Sequence, residues 1–178
     1  VFLTPISQDL GWGREVFSLS VAVQLLTWGF AQPIVGAIAD RFGTARVLAF
    51  GAICAGIGFV LRGMTADQTL FVLTGILVGA GTGAASFPIV IGALGKIVRA
   101  ERRSFILGLG TAAASLGMFV AAPTATTMIV TIGWPTALMV IGGSFALILP
   151  FLIFIARAAK PTATGSSAGD FGHAVSIA

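Results

Sequence analysis

The chain has 178 residues, of which 57% are hydrophobic and 9% are charged, and its mean hydropathy is +1.04. A soluble domain carries about 25% charged residues because its surface faces water, so this composition excludes a water-solvated globule and makes lipid the solvent for most of the surface. The net charge of +4 does not point to nucleic acid, because the basic residues fall in short segments between apolar runs rather than clustering with aromatics on one polar face.

A membrane-spanning helix needs about 20 mostly apolar residues. Val1–Ser7 reads as the end of an apolar helix whose start is missing. Val16–Ala39 carries no charge and is one span. Arg46–Leu61 is shorter, but flanking Arg46 and Arg62 can snorkel to the headgroups. Gln68–Gly95 is long enough to span with tilt. Ser104–Ala156 is uncharged and too long for one span, and Gly133-Trp134-Pro135 splits it with a turn and an interfacial tryptophan. The reading is an all-α integral membrane helix bundle in residues 1–160, with helices at about 14–40, 44–63, 68–97, 103–130 and 134–157. Residues 161–178 turn small and polar and read as a linker.

Orientation follows from lysine and arginine. Arg41, Arg46, Lys96, Arg99, Arg102, Arg103, Arg157 and Lys160 fall on one side, and only Arg14 and Arg62 on the other. The first side, including the 161–178 linker, is therefore expected to be cytoplasmic. An intramembrane enzyme would need a nucleophile, base or metal cluster at one depth. No acidic residue lies mid-helix, Cys54 is the only cysteine, and His173, the only histidine, lies in the tail. Neither catalysis nor a cofactor or metal is expected.

The stretch from Gly36 to Val47, GAIADRFGTARV, places charge and glycine between two apolar spans. Gly36 suits close backbone approach, and Gly43 supplies the freedom of a tight reversal. Asp40 is expected near the start of the next helix, facing its positive dipole end and within reach of Arg46. Asp40, Arg41, Gly43 and Arg46 thus read as a cytoplasmic hinge.

This hinge resembles the signature G-x-L-A-D-R-x-G-R-K-x-x-L of the major facilitator superfamily, with Gly36, Ala39, Asp40, Arg41, Gly43 and Leu48 matching; Thr44 and Ala45 stand where the family often has two bases. LTPISQDLGWGREVFSLS, LTWGFAQPIVGAIADRFG and GTAAASLGMFVAAP resemble its monocarboxylate and oxalate–formate branch. The resemblance covers about Val1 to Lys160. It implies the N-terminal six-helix half of a twelve-helix secondary transporter, with helix one largely missing and the C-terminal half absent. It also implies a small organic anion as substrate, such as a monocarboxylate or oxalate, and a bacterial inner membrane as the location. A multidrug exporter of the same superfamily and a non-transporting scaffold subunit are the alternatives.

By the family's order, the first full span is helix two, at the seam between halves, and Gln68–Gly95 is helix four, at the cavity. Helix two carries Ser20, Gln24, Trp28 and Gln32 at spacing four, one polar stripe on an apolar helix. Two uses are open: interhelical hydrogen-bonding, or cavity contact through Gln24 and Trp28. Gly75, Gly79 and Gly83, again at spacing four, suit close helix packing, while Ser86 and Pro88 offer polar groups to the cavity. Arg62 is either a snorkelling arginine paired with Asp67 or an entry point that attracts a carboxylate.

Overall fold

The computed structural model describes residues 1–86 and 100–158, and the regular structure among them is helical. The helices are α1 (Leu3–Leu10), α2 (Arg14–Phe42), α3 (Thr44–Met64), α4 (Gln68–Ala84), α5 (Ala100–Ile132) and α6 (Trp134–Ala158). Lys96 and Arg99 of the basic loop, Pro88 and the 161–178 linker lie outside the described residues.

Local chemistry sets where these helices stop. Gly43 lies between α2 and α3 at φ 94°, where a side chain would be strained, and its N–H returns to the Ala39 carbonyl at 3.0 Å. Gly133 does the same between α5 and α6 at φ 80°, its N–H bonding the Ile129 carbonyl at 3.1 Å. Asp67 caps α4, its Oδ1 accepting from the Leu70 N–H at 2.8 Å.

The helices are built for hydrocarbon. Arg14–Phe42, Thr44–Met64 and the 104–132 stretch of α5 are each long and apolar enough to cross a membrane. At 29 residues, α2 is about 44 Å long, more than the ~30 Å hydrocarbon thickness. Gln68–Ala84 and Trp134–Leu147 are shorter apolar stretches. Large side chains such as Leu25, Phe30, Ile34, Phe50, Ile57, Phe119 and Leu147 point outward and exposed, which water would penalise and lipid does not. The chain is thus a multi-pass integral membrane protein.

Between helices in lipid there is little hydrophobic drive, so close packing of small residues decides which surfaces meet. α2 and α4 run parallel: a side chain at Gly75 would meet the Ser20 carbonyl at 2.8 Å, one at Gly79 the Gln24 carbonyl, and one at Gly83 Ala31 at 3.2 Å and the Trp28 carbonyl at 3.3 Å. α3 and α4 run antiparallel, with Gly51 against Ala84, Gly81 against Ala55 and Gly58 against Val78. α3 also packs antiparallel on α6, where Gly142 meets the Gly56 carbonyl and Gly63 the Pro135 carbonyl. Most of α5 lies outside this packing, with its side chains from Ser104 to Ile132 mostly exposed.

Two apolar clusters close the ends. At the hinge end Ala39, Val47 and Ala84 pack with Val35 and Leu48. At the other end Ile6, Phe71, Trp134 and Leu138 are buried under Phe2, Leu10, Trp12, Phe17, Phe59 and Ile129. The expected interfacial Trp134 is instead only 6% exposed. The end of α1 covers it, and its indole N–H donates to Asp9 at 2.8 Å.

Candidate functional site

The polar stripe of α2, the last turn of α3 and the first turns of α4 converge on Arg62. α2 and α4 are held in register by the glycine seam, so Ser20 and Gln24 lie beside Phe71 and Thr74. Arg62 reaches across from α3 and is 5% exposed.

Its guanidinium is received by neutral oxygens. Nε donates to Thr74 Oγ1 at 3.2 Å, Nη1 to Gln24 Oε1 at 2.9 Å, and Nη2 to Ser20 Oγ. The cation also lies 4.9 Å from the centre of the Phe71 ring, whose π-face attracts it. Trp12 meets that ring edge-on at 5.4 Å, and Phe17 lies at 6.4 Å. The hydroxyls pass their hydrogens on to one acceptor: Ser20 donates to the Phe71 carbonyl at 3.2 Å and Thr74 to the same carbonyl at 2.7 Å. A buried charge is tolerated only when it is hydrogen-bonded, and here each of the three guanidinium nitrogens has an acceptor.

This differs from a snorkelling arginine paired with Asp67. Arg62 has acceptors on two neighbouring helices within reach, so turning inward satisfies it better than reaching out to headgroups. Asp67 is already committed as the α4 cap. Thr74 and Phe71 as partners of Arg62, and Asp9 as the partner of Trp134, carry no signal in the sequence, because each lies on a different helix from the group it meets.

The other candidates fall at different depths. Trp28 is 41% exposed near the middle of α2. Gln32 lies one turn further, its Oε1 3.4 Å from Ser86 Oγ, and its Nε2 is buried without a partner among the described residues. Ser86 is 8% exposed. Gly75, Gly79 and Gly83 lie on α4 along its seam with α2, with Gly83 nearest the hinge end. Asp40 is exposed in the last turn of α2 rather than at the start of α3, and Arg41 lies 5.6 Å from the Phe42 ring centre. Arg46 is exposed in the first turns of α3, and Gly36 is partly buried on α2 with open space around it. The structure therefore brings Arg62 together with Gln24, and Ser86 with Gln32, while the hinge residues form a separate group at the far end. No cluster of metal-ligating side chains occurs among the described residues.

Comparison with known proteins adds an independent finding. The family model of the Major Facilitator Superfamily matches residues 1–176. The chain is 25% identical over 159 residues to the "Uncharacterized MFS-type transporter YcxA" of Bacillus subtilis, covering 86% of this chain and 38% of that protein. It is 30% identical over 139 residues to human "Monocarboxylate transporter 11", covering 76% of this chain and 27% of the relative. It is 26% identical over 137 residues to the "Probable sulfoacetate transporter SauU" of Cupriavidus necator, covering 77% of this chain and 32% of the relative. The chain thus spans well under half the length of each of these relatives.

Proposed function

The chain belongs to the major facilitator superfamily, and from that premise we propose that it is most of the N-terminal half of a secondary active transporter for a small organic anion, such as a monocarboxylate or oxalate. The observation that carries this reading is the similarity, across about three quarters of the chain, to transporters named for monocarboxylate and sulfoacetate. The buried Arg62 guanidinium supports it, because a fixed positive charge beside a polar helix face favours an anion over a cation.

In this reading a C-terminal six-helix half completes the protein within the bilayer, and solute binds between the halves near mid-depth. Gln24, Trp28 and Ser86, with Arg62 behind them, are assigned to the cavity side. The α2–α4 glycine seam makes the half rigid, so the two halves rock as units. The hinge at Gly36, Asp40, Arg41, Gly43 and Arg46 is assigned to the cytoplasmic gate, with residues 161–178 on the same side of a bacterial inner membrane.

The test is uptake by proteoliposomes holding the complete protein, using labelled lactate, oxalate and sulfoacetate alongside a lipophilic cationic dye, with and without a proton gradient. Saturable uptake of at least one carboxylate or sulfonate supports the reading. Uptake of the dye alone makes the protein a drug exporter, and uptake of nothing favours a scaffold subunit.

A further inference from the structure

Arginine carries N–H donors and no acceptor. Whatever faces Arg62 must therefore do so with an oxygen, which fixes the Gln24 amide: Oε1 turns to Nη1 at 2.9 Å, and the NH2 group is what remains. Ser20 and Thr74 hand their hydrogens to the Phe71 carbonyl, so two of the three branches from Arg62 end inside the protein. The third ends at Gln24 Nε2, and the hydrogen bonds among the described residues use Gln24 only through its oxygen. Gln24 is partly exposed, so this donor is accessible.

Further along the same face stand two more donors. Trp28 has an indole N–H and no acceptor atom. Gln32 Nε2 is buried without a partner among the described residues, and a buried amide left unbonded is costly enough to require an explanation. The α2 stripe is thus not a neutral polar surface with donors and acceptors mixed. Its one chemically fixed amide presents hydrogens, with a cation behind it.

We propose that the Gln24 amide and the Trp28 indole, one helical turn apart on α2, form a donor surface that holds the anionic oxygens of the solute, and that Arg62 is a positioning residue that orients and polarises Gln24 rather than touching the solute; Gln32, a further turn along and buried at Nε2, lies outside that surface. This rests on the organic-anion carrier reading. It accounts for how an arginine too buried to bind a solute directly still confers selectivity for anions.

The test separates recognition from structure. Gln24→Glu places a carboxylate against the guanidinium, which preserves the helix tie while removing the donors and cancelling the charge. In the complete protein in proteoliposomes, the variant is expected to melt no lower than the parent in detergent, yet to raise KM for labelled oxalate or lactate about tenfold or more. Arg62→Gln is expected to raise KM likewise. Arg62→Lys, which keeps a cationic donor behind Gln24, is expected to restore KM to within about threefold of the parent. Gln24→Leu is read in place of Gln24→Glu if the latter does not fold, with the same rise expected. A Gln24→Glu variant that folds and keeps the parent KM overturns the inference and leaves the carrier reading standing. A parent protein that moves none of the anions overturns both.

Discussion

Trp134 donates its indole N–H to Asp9 at 2.8 Å, joining residues 125 positions apart in sequence. The bond ties the end of α1 to the start of α6 above the buried Phe71. Hydrogen bonds to a carboxylate are stronger than neutral ones. Trp134→Phe, which keeps the ring but not the donor, should lower unfolding stability by about 1–3 kcal/mol. Asp9→Asn retains an acceptor and should cost less. Denaturant titration in detergent, followed by far-UV circular dichroism, measures both.

The glycine seam predicts a sharp contrast between positions of the same residue type. A side chain at Gly79 would collide with the Gln24 carbonyl, and one at Gly81 with the Ala55 backbone, whereas Gly117 on α5 has nothing within 4 Å. Gly79→Leu and Gly81→Leu should therefore abolish the folded monodisperse species or cost about 3 kcal/mol or more. Gly117→Ala should be neutral or stabilising by up to about 1 kcal/mol, because alanine is the better helix former. Size-exclusion profiles and melting curves in detergent read the difference.

At the hinge, Gly43 at φ 94° occupies backbone space that L-residues avoid. Gly43→Ala should cost about 1–2 kcal/mol of stability. In the complete protein, Asp40→Asn should slow turnover more than it weakens solute binding, since the assigned role is gating. Initial uptake rates set against KM separate the two effects.

Topology gives a further prediction. With Cys54 replaced by alanine, a single cysteine at Thr44 and another at Thr65 should label from opposite faces of the membrane, because α3 runs between them. An impermeant maleimide on sealed right-side-out vesicles should reach the Thr65 position and not the Thr44 position.

Much of the architecture was legible because lipid imposes a coarse rule: apolar length makes a span, and charge marks its ends. Gly133 with Pro135 announced a break because neither continues a helix comfortably, and the chain turns there at a positive φ. The site was legible only in part. Ser20, Gln24, Trp28 and Gln32 showed themselves as one face by their spacing, but spacing within one helix does not say what lies opposite. Arg62 closes an apolar run in the same way whether it reaches out or turns in. The choice is made by Ser20 and Gln24, about forty positions earlier in the chain, and by Thr74 on the next helix. Trp134 follows the same logic: an indole near a turn suits a headgroup belt until another segment covers it, as the end of α1 does here. Gly43 marks the reversal as expected, but α2 runs through to Phe42, so Asp40 belongs to the last turn of α2 and not to the start of α3.

A complete protein that carries organic anions by alternating access, as proposed, must catalyse counterflow. Proteoliposomes are loaded with unlabelled lactate or oxalate and diluted into a trace of the labelled anion, with no ion gradient imposed. A transient overshoot of label inside the vesicles is expected, abolished when the inside is empty of anion. Labelled anion that never rises above the level in protein-free liposomes would contradict the proposal.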